Sequence, residues 1–154
     1  MEITLKGDRE FDEIPSLKTK CLRINLNENI YEIGAGQETV RQFFRAGGAS
    51  GTIAKAMSAY DKAFSDAIYG IENDKRYVTE ARLRKMLDHE VNLVEERILR
   101  ETHPNKMFFA YANTVATIDF AKKYKGHGWV GIKYQVDPDE GYNEIVLHLR
   151  FKET

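Results

Sequence analysis

Cysteine, proline and long apolar runs are scarce in this sequence, and each scarcity excludes a class of protein. The 154 residues include one cysteine, Cys21, and three prolines. A single cysteine excludes an intrachain disulfide and a zinc site built from several cysteines. No stretch approaches the roughly 20 apolar residues that a membrane-spanning helix needs. We therefore expect neither a disulfide scaffold nor a membrane protein.

The chain also lacks an excess of charge of either sign. It carries 23 Lys and Arg residues against 24 Asp and Glu residues. Strong binding to nucleic acid or to an anionic membrane usually requires a basic excess, so we expect no nucleic-acid partner and no membrane partner. The first fifteen residues contain five acidic side chains, which is typical of neither a signal peptide nor a transit peptide. We therefore expect a cytoplasmic location.

The hydrophobic content and the length of the chain are typical of one folded domain. Hydrophobic residues make up 42% of the chain and aromatic residues 11%, which argues against disorder. The length is sufficient to bury a core. Residues 1–18 are polar and are predicted to form a loosely ordered lead-in, and residues 19–154 are predicted to form a single domain.

Hydrophobic periodicity predicts one strand, then three helices, then three strands. The helices are predicted at about 37–46, 51–69 and 79–101, with Gly47-Gly48 ending the first and Pro104 following the last. The strands are predicted at 22–26, within 107–120, and at 129–136 and 144–151, of which the last two form a hairpin. This order predicts an α+β fold, an antiparallel sheet of about four strands with three helices packed on one face.

The predicted hairpin has one apolar face and one polar face. The apolar face contains Val130, Ile132, Tyr134, Val136, Ile145, Leu147, Leu149 and Phe151. The polar face contains Trp129, Lys133, Gln135, His148 and Arg150. We expect the apolar face to build the core, and the polar face to meet solvent or a partner.

A glycine-rich segment, Gly47–Thr52, opens the second predicted helix and is the leading candidate binding site. Free backbone N–H groups at a helix start, together with small residues and hydroxyl groups, can hold a phosphate. The segment lacks the lysine of a Walker A loop. A tight connection between two packed helices, in which Ser50 acts only as the helix cap, is the alternative. The candidate ligand-binding residues are Gly47, Gly48, Ser50, Gly51, Thr52, Arg41, Arg45 and Lys55.

Two charged residues, Glu90 and Arg97, lie on the apolar side of the long predicted helix. At 100° per residue they fall within the arc of its apolar side chains, where a charge needs a partner. They line a pocket, or they meet opposite charges on another element, or the helix bends and their side chains reach solvent. Two antiparallel copies of this helix would place Glu90 of one chain near Arg97 of the other. We therefore expect a homo-oligomer with these two residues at its interface.

No catalytic motif of high specificity is present, so the catalytic residues are unknown and no cofactor or metal is predicted. An acid or base group would come from Glu90, His89 or Asp61. The leading hypothesis is a module that binds a phosphorylated small molecule or a nucleotide. The second is a homo-oligomerising structural or interaction module without catalytic activity, and the third is an enzyme.

Several segments carry a family resemblance. The longest runs from Gly34 to Asp61, and the others are Arg76-Tyr77-Val78, Met86–Glu90, Ala112–Ile118 and Gly126-His127-Gly128-Trp129. With these segments the chain resembles the N-terminal region of an uncharacterised family of soluble bacterial proteins. Its longer members are labelled TonB-dependent receptors or nicotinate/nicotinamide-nucleotide adenylyltransferases. Gly126–Trp129 is not the His-x-Gly-His motif that such an adenylyltransferase would show. The resemblance implies a family and supplies no catalytic residue.

Overall fold

The structure is a computed structural model that describes residues 37–116 and 126–151. The chain divides after Met57 into two units, and each unit is described by itself. Cys21, the predicted lead-in and the predicted strand at 22–26 lie outside the described residues. The prediction that residues 19–154 form one domain stays a prediction.

The described part of the first unit contains two helices, α1 (Gln37–Ala46) and α2 (Ala49–Thr52). The helix predicted at 37–46 is confirmed. Two glycines separate α1 from α2, with φ of 81° at Gly47 and 70° at Gly48. These values lie in the left-handed region that glycine adopts without a steric penalty, so the glycine pair ends α1 and turns the chain.

The single helix predicted over 51–69 is wrong, because residues 53–61 are not helical. The helix α3 (Lys62–Tyr69) begins afresh after Asp61, whose carboxylate accepts a hydrogen bond from the backbone N–H of Phe64 at 2.8 Å. An aspartate that caps a helix in this way holds its own backbone in an extended conformation, with φ −76° and ψ 132° here. Apolar residues keep a helical spacing through residues 53–61 although this segment is not helical, so the sequence predicted one continuous helix.

The second unit begins at Ser58 and contains α3, the long helix α4 (Glu80–Arg97) and three strands. The strands are β1 (Phe109–Ala116), β2 (His127–Tyr134) and β3 (Asn143–Arg150). They form an antiparallel sheet in the order β1-β2-β3. The predicted α+β class and the predicted hairpin are confirmed. The described residues contain three strands and four helices, where about four strands and three helices were predicted.

Helix α4 forms the core with the sheet. Thr79 caps its first turn by accepting a hydrogen bond from Arg82 N at 3.1 Å, and the helix ends at Arg97, earlier than predicted. Leu83 and Leu87 are fully buried against β1 and β2. A Cβ added to Gly131 would lie only 2.9 Å from Leu87 Cδ1, so this glycine permits the helix to approach the sheet closely. Helix α3 in turn packs against α4.

The face that α4 covers is the one predicted to be polar, which corrects the assignment of the two faces. Trp129, Gly131 and Lys133 share this face with Ala110 and Ala112 of the neighbouring strand. Their small neighbours leave room for Leu83 and Leu87, whereas the opposite face is filled with β-branched and aromatic side chains. Charged residues at its margin pair with the helix, including Lys133 with Asp88 at 2.5 Å.

The opposite side of the sheet, called the open face below, is defined by the alternate residues of each strand. Its twelve positions are Phe109, Tyr111, Asn113, Val115, Gly128, Val130, Ile132, Tyr134, Asn143, Ile145, Leu147 and Leu149. Within the described part of the second unit, most of these side chains are half-buried, and Ile145 and Leu147 are exposed.

Candidate functional site

In the predicted anion site at Gly47–Thr52, the glycines and the two hydroxyl residues are exposed. Gly48 is the residue that precedes α2, so Ser50 lies within the helix and is not its cap. The hydroxyl of Thr52 is engaged with the backbone, since it donates to Gly48 O at 3.2 Å. A Cβ added to Gly51 would meet nothing within 4 Å. Within the first unit, the described residues therefore place no wall close to Gly51.

Two of the three cations predicted to assist the anion site pair with a carboxylate of α1. Arg41 and Arg45 both form ion pairs with Glu38 of α1, at 3.3 Å and 3.7 Å. Lys55 is exposed in the non-helical segment that follows α2. The site stays a prediction, and the structure adds no converging set of cations to it.

The charged residues of α4 have explanations within one chain. Glu90 accepts a hydrogen bond from Tyr69 OH at 2.9 Å, and burial together with the nearby Glu90 carboxylate raises the pKa of Tyr69. Arg97 is the last residue of α4 and is exposed. The apolar side of the helix is buried against the sheet of its own chain. The positions of Glu90 and Arg97 on α4 are therefore explained without a second copy of the helix.

The remaining candidate acid and base groups serve the fold. Asp61 caps α3, and the ring of His89 lies edge-on to Tyr69 at 5.2 Å between ring centres. Neither contact creates the arrangement of an acid and a base around a space for substrate that catalysis needs.

A buried polar cluster around Arg82 was not predicted. The Arg82 side chain is 1% exposed, and its guanidinium donates to Gly70 O at 2.5 Å, to Glu72 Oε1 at 3.1 Å and to Ser65 Oγ at 2.7 Å. The rings of Tyr69 and Tyr77 lie 5.5 Å and 5.2 Å from the guanidinium carbon. These partners satisfy the buried charge, so the cluster joins α3, the segment after it and α4 as a structural unit.

The open face combines size with an absence of charge. Nine of its twelve side chains are large and apolar or aromatic, and none is ionisable as an acid or a base except for the two tyrosine hydroxyls. Ile145 is 42% exposed and Leu147 is 44% exposed. Strands of eight residues and a spacing of about 4.8 Å give this face an area of roughly 350 Å². This footprint is within the range of the largest apolar patches on soluble monomers, and such patches often mark interaction sites.

Within the part of the chain that the structure describes, no three His, Cys, Asp or Glu side chains are grouped so that they could hold a metal ion. The described helices are also too short or too polar to cross a membrane. Comparisons with protein-family models, with curated proteins and with solved structures found no match for this chain. The family resemblance noted in the sequence therefore stays an expectation, and the function is argued from the surfaces alone.

Proposed function

We propose that this chain is a homo-oligomerising interaction module of the cytoplasm, without catalytic activity, and that the open face of the sheet is its contact surface. The observation that carries the proposal is that α4 covers one face of the sheet while the other presents twelve uncharged positions. The hydrophobic effect favours removing such a face from water, at about 25 cal/mol for each Å² of apolar surface.

A second copy of the chain fits this face because the contact has no charge to compensate. Two open faces related by a twofold axis would bring together apolar side chains from both copies, as in the stacking of two sheets about 10 Å apart. An acidic or basic partner would find no ion pair there, and its charges would lose their hydration without compensation. The neutrality of the face therefore favours self-association.

The expected dimer is weak. Two faces of roughly 350 Å² each give about 700 Å² of contact, which is less than the 1,200–2,000 Å² buried in stable, specific complexes. We expect a dissociation constant of roughly 10 µM or higher, so that the monomer dominates in dilute solution.

Sedimentation velocity over concentrations from about 5 µM to 1 mM tests the proposal. We expect the wild-type protein to shift from monomer to dimer, and Leu147→Lys to stay monomeric because it would bury a charge in the contact. Leu99→Lys is the matched control, since Leu99 is 52% exposed and lies outside the sheet. A wild-type protein that remains monomeric throughout, or an L147K variant that assembles as the wild type does, would overturn the proposal. Far-UV circular dichroism verifies that both variants are folded.

The binding of a phosphorylated small molecule or nucleotide at Gly47–Thr52 stays a separate prediction with less support. The exposed segment leaves access for a ligand, but the two nearest arginines of α1 pair with Glu38. A Gly51→Leu variant, used in the experiment below, separates this site from any other.

A further inference from the structure

A cavity of about 380 Å³ lies at the N-terminal end of α4, on the helix-covered side of the sheet. It is lined by Arg76, Tyr77, Val78, Thr79 and His127. None of these five residues is acidic, and two of them carry cationic or basic groups. None of its lining residues belongs to the open face, so the cavity does not depend on the proposed dimer.

The basic character of this corner extends beyond the lining residues. His127 is opposite Arg150 in the register of β2 and β3. Its Nδ1 lies 3.1 Å from Nε2 of His148, so one imidazole donates a hydrogen bond and the other accepts it. Arg76 and His127 thus line the cavity, and Arg150 and His148 are the strand neighbours of His127, in a chain whose formal net charge is −1.

The walls of the cavity are held in place by contacts that do not involve a ligand. The His148 ring stacks on Trp129, with ring centres 4.3 Å apart and planes 10° from parallel, and Trp129 packs against the core. On the other side, Thr114 Oγ1 donates to Tyr77 O at 2.7 Å, which ties the segment before α4 to β1. Asp74 accepts from Arg76 N at 3.0 Å and fixes the turn that presents Arg76.

We propose that this cavity binds a small phosphate monoester. Arginine presents a planar fork of N–H donors that matches phosphate oxygens, and the imidazole of His127 offers a further N–H donor among the lining residues. The volume is at the lower end of the 300–1,000 Å³ usual for ligand sites, which fits a molecule the size of a sugar phosphate. A metal ion is a poorer fit, because the two histidines have no third ligand of the usual types among the described residues.

Isothermal titration calorimetry with inorganic phosphate, ribose 5-phosphate and ribose tests the proposal. We expect saturable binding of ribose 5-phosphate, weaker binding of inorganic phosphate and no binding of ribose. The variants Arg76→Ala and His127→Ala should each weaken the binding of ribose 5-phosphate at least tenfold, because each removes a donor to the phosphate. Arg76 is exposed, so its replacement should leave the fold intact.

Two control variants decide where any binding occurs. Arg97→Ala removes an exposed arginine at the far end of α4 and should leave the affinity unchanged. Gly51→Leu should also leave it unchanged, because Gly51 lies in the other predicted site. No saturable binding of either phosphate to the wild-type protein would overturn the proposal. So would an equal loss in R76A and R97A, or a loss in G51L that R76A does not share.

Discussion

At the scale of the residue, Arg82 shows how one buried charge can organise its surroundings. Its guanidinium contacts α3, the segment that contains Gly70 and Glu72, and the rings of two tyrosines. Lys85 also pairs with Glu72 at 2.9 Å, and the hydrogen bonds from Lys85 and Arg82 hold the pKa of this carboxyl below its usual value. The Glu72 carboxylate is therefore charged in the folded protein near neutral pH.

We expect Arg82→Ala to destabilise the second unit by about 3–5 kcal/mol, because the buried Glu72 loses one of its two cations and the hydrogen bonds to Gly70 O and Ser65 Oγ are lost. Urea denaturation followed by far-UV circular dichroism measures the change. Arg84→Ala is the matched control on the same helix, since Arg84 forms surface ion pairs with Glu80 and Glu144 and its loss should cost much less. Equal losses in the two variants would show that the Arg82 cluster contributes no more than a surface pair.

Tyr142 gives a prediction about alkaline pH. Burial and the hydrogen bond to Glu95 Oε1, at 2.7 Å, raise its pKa to about 12. Because the folded-state pKa is above the value of about 10 in the unfolded chain, the stabilisation is complete below pH 10 and is lost as the pH rises through 12. Tyr142→Phe removes this titration, so thermal unfolding at pH 9 and pH 11 should show a smaller loss of stability in the variant. An identical loss in both proteins would contradict the assignment.

At the scale of the element, the sequence predicted those limits of helices that neighbouring residues set. It did not predict which surfaces pack together in the folded chain. The helix at 37–46 was predicted because the glycine pair at its end is a local signal. The helix at 51–69 failed because apolar spacing continues through a segment where Asp61 starts a new helix. Alternation along β2 and β3 revealed two faces, but it could not show which face α4 covers. Gly131 and its alanine neighbours decided that choice by their small size.

The corrected faces lead to an expectation for two leucines. Leu87→Ala should cost about 2–5 kcal/mol, because it leaves a cavity between α4 and the sheet. Leu147→Ala should cost about 1 kcal/mol or less in the monomer, because Leu147 is 44% exposed on the open face. Urea denaturation at low protein concentration measures both changes. A larger loss for L147A than for L87A would mean that the open face is the true core.

At the scale of the whole molecule, the overall composition reveals neither the open face of the sheet nor the cavity beside the start of α4. Arg76 and His127 are separated by a long stretch of sequence and line one cavity only in the folded chain, where Arg150 is the strand partner of His127. The net charge of −1 conceals their local concentration. The glycine-rich segment is recognisable in the sequence because its residues are contiguous. A site assembled from distant segments leaves no such pattern.

The response of the dimer to salt distinguishes the open face from the Glu90–Arg97 pairing expected from the sequence. An uncharged apolar contact should be as strong, or slightly stronger, at 500 mM sodium chloride as at 50 mM, whereas exposed ion pairs are screened over this range. Sedimentation equilibrium at the two salt concentrations measures the dissociation constant. A dimer that weakens at high salt would contradict the open face and favour a contact made through charges.

The alternation along β2 has a consequence for how this sequence can change over time. Odd-numbered positions such as Trp129 and Gly131 face α4, while even-numbered positions such as Val130 and Ile132 belong to the open face. Selection for a folded chain would act mainly on the first set, and selection for association mainly on the second. A saturation scan of β2 with two readouts, cellular abundance and self-association, should separate into two interleaved patterns with a period of two residues.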